Sequence, residues 1–222
     1  MDIGSREWQH LIVDGAQQLG IAIDERMIAA FAAHAAELLN WNRKINLTAI
    51  TDPRDIATRH FLDSLAPAKF IPDRARLLDI GSGAGFPGLP LKIVKSSLSI
   101  LLIDGNRKKI NFLKHMIRSL GLDQSEALQI RAEKLQEDPE SVHSFDIIIS
   151  RALSDLTSFV KVATPLLAKQ GAIMAMKGEV DQEELDALRA DILGDRFSLE
   201  IENYSLPSIH ALRSIVIIKR FQ

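Results

Sequence analysis

Two acidic residues, each closing an apolar run, flank a glycine-rich turn, and no other part of this sequence is better placed for chemistry. Residues 77–90 read Leu-Leu-Asp-Ile-Gly-Ser-Gly-Ala-Gly-Phe-Pro-Gly-Leu-Pro. Asp79 ends the first run, Gly81, Gly83 and Gly85 follow, and a second run ends in Asp104, 23 residues after Gly81. Glycines let a backbone approach a ligand closely. A carboxylate at the second strand end can accept hydrogen bonds from both hydroxyls of a ribose. The pattern implies a nucleoside site at the edge of a parallel sheet. Gly83-x-Gly85-x-x-Gly88 also satisfies the dinucleotide spacing, so the turn alone does not choose the cofactor. Asp79 does: a buried carboxylate repels a pyrophosphate and suits the amino group and sulfonium of S-adenosylmethionine. The plainer alternatives are a strand-to-helix turn at Gly81–Gly85 and a helix cap at Asp104.

Further along, Ala132-Glu133 follows a third apolar run, where a small residue and a carboxylate can frame an adenine. Ser150-Arg151-Ala152 follows a fourth. The Asn/Asp-Pro-Pro-Tyr loop that holds exocyclic amines in many amino-group methyltransferases is absent there. Arginine matches paired acceptors, and guanine presents N7 and O6 side by side; the alternative is a surface salt bridge. Basic residues gather on loops and helix ends: Arg43 and Lys44, Arg59 and His60, Arg107, Lys108, Lys109 and Lys114, Lys177, and Arg213. Such a rim can bind an RNA backbone, although any one of these side chains also suits a solvated face. Trp41, Phe61 and Phe86 can stack on a base, and Trp41 and Phe61 serve equally as core anchors.

The elements that must carry these residues follow from hydrophobic periodicity. Residues 5–40 read as two helices, the first ended by Gly20 and the second capped by Asp24. Trp41–Thr48 reads as a structured loop, and Asp52-Pro53 opens a third helix to about Leu65. Strands are expected at 76–80, 99–103, 127–131, 145–149 and 171–176, with helices at 86–95, 106–120, 154–168 and 181–193. This alternation implies a parallel sheet covered on both faces. Phe197–Tyr204 and Ser214–Lys219 are too close for a parallel crossover and should pair as an antiparallel hairpin, with Pro207 in the connection. The expected fold is therefore α/β: a Rossmann-like class I methyltransferase sheet of seven strands with an antiparallel end. A helical extension over 1–70 precedes the main domain, 71–222.

Composition sets outer bounds. The 222 residues are 46% hydrophobic and 25% charged, with net charge −2, which excludes a uniformly basic nucleic-acid binder but not a basic face. With no cysteine there is no disulfide, thiolate metal site or cysteine nucleophile. The six histidines lack ligand spacing, so no metal site is expected. The first residues do not form a signal peptide, and no run approaches the roughly 18 apolar residues of a membrane span. A cytoplasmic protein without membrane contact is expected.

Taken in order, Trp41-Asn42…Ile45-Asn46-Leu47-Thr48, Arg59–Ser64, Asp79–Gly88, Asp104, Lys108, Phe112-Leu113, Ala132-Glu133, Ser150-Arg151-Ala152 and Lys177-Gly178 resemble the bacterial small-subunit ribosomal RNA methyltransferase G family, also called glucose-inhibited division protein B. The resemblance covers nearly the whole chain. Gly105 stands where serine is usual, and Arg213-Ser214 lies in a variable stretch. What the resemblance implies is an enzyme that uses S-adenosylmethionine to methylate N7 of one guanine in 16S ribosomal RNA. Small-subunit RNA or the 30S particle is the expected partner and a monomer the expected state, although the sequence itself does not reveal either choice. The resemblance places cofactor contacts at Gly81, Phe86, Ala132, Glu133 and Arg151, to which the residue reading adds Asp79, Gly83, Gly85 and Asp104. Arg151 is the candidate catalytic residue. Arg59, His60, Lys108, Lys109, Lys114, Lys177 and Arg213 are the candidate RNA contacts. Two rival readings are a nicotinamide-dependent dehydrogenase, opposed by Asp79 and the terminal hairpin, and a non-catalytic ribosome-assembly factor, opposed by the intact glycine loop, Asp104 and Arg151.

Overall fold

The computed structural model describes residues 1–151, 155–190 and 197–220. Its core is a seven-stranded sheet built from β1 (Arg76–Ile80), β2 (Ser99–Asp104), β3 (Ser125–Gln129), β4 (Phe145–Arg151), β5 (Leu167–Lys177), β6 (Phe197–Leu206) and β7 (Ala211–Arg220). The spatial order is β3-β2-β1-β4-β5-β7-β6. β1 to β5 run parallel, and β7 enters antiparallel to both β5 and β6. The order reverses between β1 and β4, which opens a crevice at the carboxyl ends of those strands. The expected fold is the one observed, with Pro207 in the β6–β7 connection.

Alternate residues of each strand face opposite sides of the sheet, and both sides are buried. Leu77, Leu102, Ile147, Ile149, Met174 and Ile217 join one apolar cluster. Leu78, Ile103, Ile148, Ile173 and Val216 join another, covered by α7 (Ala132–Leu135), α8 (Leu156–Ala163) and α9 (Gln182–Leu188). The first cluster continues without a break into Trp8, Phe31 and Phe61. Thus α1 (Arg6–Gln18) and α2 (Glu25–Ile45) share one core with α5 (Gly88–Val94) and α6 (Arg107–Ser119). Trp8 is fully buried, and its indole N–H donates to Pro53 O at 2.9 Å.

Some boundaries depart from the periodicity. The stretch read as a loop from Trp41 is helical to Ile45, and the chain turns only at Asn46, where φ is 40°. Asn42 makes this possible: its Oδ1 accepts the N–H groups of Leu47 and Thr48, and its Nδ2 donates to Thr48 O. β3 begins two residues earlier than expected, because Ser125 and Glu126 already pair with Ile100 and Leu101, and it ends at Gln129 opposite Asp104, which leaves Ile130 beyond the strand. The third helix follows its expected path but changes character. α3 (Pro53–Asp55) opens it under an Asp52 cap, Ile56–Leu62 takes π-helical turns, and α4 (Asp63–Leu65) closes it. Ends of the helices expected at 154–168 and 181–193 fall at 154 and 191–193, outside the described residues.

Candidate active site

The turn after β1 is held from beneath by Asp79. This side chain is fully buried, and Oδ2 accepts the Gly88 N–H at 2.9 Å. Oδ1 has no hydrogen-bond partner among the described residues. Burial pushes the carboxyl up to about 7, against the pull of the Gly88 N–H and the Arg151 charge. Two glycines are required by space. A Cβ at Gly88 would overlap Leu102 and crowd Asp79, and one at Gly85, where φ is 90°, would overlap Leu89. Asp104 ties the turn to β2: Oδ2 accepts the Gly83 N–H at 3.1 Å and Oδ1 the Asn106 N–H at 2.8 Å.

Above the turn lies a cavity of about 500 Å³. Gly81, Asp104, Ala132 and Glu133 line it, with Ile80, Ile103, Ile130 and Phe159 as apolar walls. Gly81 has open space where a Cβ would project. Gly83 and Gly85 shape the turn without lining this cavity, and Asp79 lies beneath it. The carboxylate expected to face a ligand's cationic groups instead anchors the loop that would carry them, because Gly88 N–H needs an acceptor inside the fold.

A second cavity, of about 410 Å³, follows along the same sheet edge, over the ends of β4 and β5. Arg59, His60, Asp63, Arg151, Lys177 and Arg213 line it. Arg151 is 18% exposed and held from several sides. Nη1 donates to Arg59 O at 2.8 Å and approaches Asp63 Oδ2 at 3.4 Å, and Nη2 donates to His60 Nδ1 at 3.1 Å. Asp63 also accepts the Tyr204 hydroxyl at 2.8 Å and sits 3.6 Å from Arg213 Nε. Burial and the Asp63 charge push the Tyr204 hydroxyl above its ordinary range, so it stays a donor.

Behind the second cavity lies a stack of rings that begins at His60. Phe86 lies between His34, at 4.7 Å and 12°, and His60, at 4.5 Å and 14°. The Arg151 guanidinium carbon is 5.3 Å from the Phe86 ring centre. With both faces covered, Phe86 has none free for a base, contrary to the expected stacking. Phe61 is fully buried against Trp8 and Phe31, and Trp41 packs on Phe112 and His115, so both act as core anchors. Burial lowers His34 to about 4, and burial followed by the Arg151 charge lowers His60 to about 3. Both imidazoles are therefore neutral near pH 7.

The family model for GidB, described as rRNA small subunit methyltransferase G, matches residues 27–216. The chain belongs to this family. A "Ribosomal RNA small subunit methyltransferase G" of Geobacter sp. (strain M21) is 44% identical, covering 96% of this chain and 97% of that protein. One of the same name from Roseiflexus sp. (strain RS-1) is 39% identical, covering 94% and 90%. Among solved structures, a SAM dependent methyltransferase from Aquifex aeolicus superposes with a TM-score of 0.57 at 18% identity, covering 80% of this chain and 97% of that one. M. jannaschii TYW2 in complex with AdoMet gives 0.55 at 16%, covering 72% and 76%. At such identities these structures support the fold.

In this GidB-family chain the first cavity fits S-adenosylmethionine. An ionised carboxylate has about four acceptor positions. Asp104 spends two on backbone N–H groups and keeps others for ribose hydroxyls. The isoleucines and Phe159 offer an apolar slot for adenine, and the missing Cβ at Gly81 leaves room beside the turn.

The basic rim separates into two classes. Arg59 pairs with Asp55, Lys109 sits 3.7 Å from Asp104, Lys177 holds Glu184 at 2.6 Å, and Arg213 faces Asp63. His60, expected as an RNA contact, is 6% exposed and neutral, so it supplies no positive charge to a phosphate. Lys108 and Lys114 are exposed on α6 with no carboxylate partner among the described residues, as are Arg43 and Lys44 at the end of α2. Ala152, expected beside Arg151, lies outside the described residues. Sequence reasoning missed His34, Thr48 and Tyr204 and gave Asp63 no role. Asp63 lies one helical turn from His60, a usable signal, whereas Tyr204 is 141 residues away from its partner and leaves none.

Proposed function

We propose that this chain transfers a methyl group from S-adenosylmethionine to N7 of a specific guanine in 16S ribosomal RNA, directly and without a general base. One observation carries the choice of atom: among the described residues lining the second cavity, the candidate bases are already committed. His60 Nδ1 accepts from Arg151, and Asp63 holds Tyr204 and two arginines. An amine or hydroxyl acceptor would need a proton removed. Guanine N7 has an in-plane lone pair and needs none.

S-adenosylmethionine supplies an electrophilic methyl group on a sulfonium. Asp104, Gly81, Ala132 and Glu133 would hold its nucleoside, with Asp79, Gly83 and Gly85 setting the turn. Arg151 keeps Nε–H and one Nη2 hydrogen without a partner among the described residues. We assign these donors to the acceptor edge of guanine at O6, so that the base is aligned for in-line transfer. N7 is inaccessible in the deep, narrow major groove of an RNA helix, so the target nucleotide must be splayed out to enter. The helical extension over 1–70 roofs this site on the methyltransferase domain, 71–222. Lys108 and Lys114 contact the RNA backbone outside it. We place the enzyme in the cytoplasm as a monomer acting on small-subunit RNA or the 30S particle. Among the described residues, no helix is long and apolar enough to cross a membrane.

Tritium transfer from labelled cofactor to purified subunits tests the proposal. Label should enter small-subunit RNA and be recovered as 7-methylguanosine after digestion. Label in large-subunit RNA, or on any other atom, would sink it.

A further inference from the structure

Thr48 lines neither cavity, yet it controls the chemistry of a ring that lines one. Its Oγ1 accepts the Ile50 N–H at 3.0 Å and lies 2.9 Å from His60 Nε2. The other ring nitrogen, Nδ1, is 3.1 Å from Arg151 Nη2. A guanidinium has donors and no acceptor. Nδ1 must therefore present its lone pair, the ring proton must sit on Nε2, and Nε2–H donates to Thr48. One hydrogen bond thus sets the direction of the next.

We infer that Thr48 and His60 are positioning residues for methyl transfer: by fixing the Nε2–H tautomer they aim the Arg151 guanidinium into the substrate cavity. This rests on the proposed role of Arg151 toward guanine. The surroundings leave the ring little alternative. His60 is 6% exposed and stacked on Phe86, whose far face is covered by His34. Protonating it would place a second positive charge against Arg151, and burial, the Arg151 charge and the nearby His34 all oppose that. Thr48 is itself fixed by α2, since Asn42 accepts its N–H and donates to its carbonyl, each at 2.9 Å. The chain of control therefore runs from α2 through Thr48 and His60 to Arg151.

Thr48→Val keeps the size of the side chain and the Asn42 contacts, and removes only the hydroxyl. The expected result is a kcat for small-subunit RNA methylation lower by roughly tenfold to a hundredfold, the range for a misaligned group. KM for S-adenosylmethionine should stay within about threefold, and Thr48→Ser should restore the rate. His60→Phe keeps a ring on Phe86 without a lone pair and should lose kcat like Thr48→Val; if it fails to fold, the Val and Ser pair at position 48 still decides. Nitrogen NMR of histidine-labelled protein should show the His60 proton on Nε2, and the Arg151 side-chain resonances should move in Thr48→Val. Wild-type turnover in Thr48→Val, no rescue by Thr48→Ser, or a proton on Nδ1 in the wild type would each overturn the inference. A wild-type protein that methylates no RNA would instead overturn the proposed function, and the tautomer and the Arg151 resonances would still test the hydrogen-bond relay.

Discussion

The two cavities on the sheet edge are built in different ways. The first comes from consecutive strand ends, so most of its chemistry lies in short segments: Gly81 to Gly88, Asp104, Ala132-Glu133. The second gathers side chains far apart in the chain. Arg151 of β4 meets Arg59 and His60 of the π-helical segment, and Asp63 meets Tyr204 of β6 and Arg213 of β7. A nucleoside recurs in many enzymes and can be held by a local motif on a common fold. The acceptor is particular to this family, and its pocket uses the helical segment that precedes β1 and the strands that follow β5.

If the cavities divide the work in this way, each should fail separately. Arg151→Ala should lower kcat by roughly a hundredfold or more, as removal of a preorganised donor does, while calorimetry finds the affinity for S-adenosylmethionine within about threefold of wild type. Asp104→Ala should do the reverse, weakening cofactor binding by about tenfold or more through loss of charged hydrogen bonds. Equal loss of cofactor affinity in both variants would mean that the cavities form one functional unit and would remove the contrast.

The same division explains what could be read in advance. Glycines in a turn and an acid at a strand end announce themselves because local backbone geometry demands them, and the strand alternation fixed the fold for the same reason. An aromatic ring such as Phe86 and an imidazole such as His60 look like ligand contacts in a sequence until their neighbours are known. Here the neighbours are each other and His34, which lies on α2. The extension of α2 past Trp41 depends on Asn42 bonding to residues five and six positions ahead, and no hydrophobic period registers that. Asp79 stands out in the sequence as an acid, but its direction, inward toward Gly88, depends on how closely the turn packs on β2.

Acid titration should also set the two regions against each other. His34 and His60 titrate near 6.5 when unfolded but at about 4 and about 3 when folded. Their contribution is present above pH 6.5 and is lost as pH falls toward those values. Asp79 is raised from 3.8 to about 7, so its contribution is present at low pH and is lost as pH rises toward 7. Between about pH 4 and 6.5 these three groups give the unfolded chain two extra histidine protons and the folded chain one extra carboxyl proton. Their net effect is that stability rises with pH, by about 1.4 kcal/mol per unit for one proton. Asp79→Asn keeps an acceptor for Gly88 and removes the opposing proton. Thermal melts of this variant should therefore rise more steeply over that window and keep rising toward pH 7, where the wild-type curve levels off. Parallel curves for the two proteins would show that the Asp79 carboxyl does not hold its proton in the folded state.

The smallest effects concern the outer rim, where free and neutralised cations should behave differently. Lys177 holds both oxygens of Glu184, whereas Lys114 stands exposed on α6 with no carboxylate partner among the described residues. A lysine already paired has few counterions to release when a phosphate arrives, and an unpaired one contributes fully. Lys114→Ala should therefore weaken binding to small-subunit RNA by a few-fold and reduce the slope of log K against log salt by roughly 0.7 to 0.9. Lys177→Ala should leave that slope nearly unchanged while lowering kcat, because it removes a cavity-lining cation and leaves the Glu184 carboxylate without its counter-charge. Should Lys177→Ala flatten the salt dependence as much as Lys114→Ala, the Glu184 pair must open when RNA binds, and the inner cavity would share the work of holding the backbone.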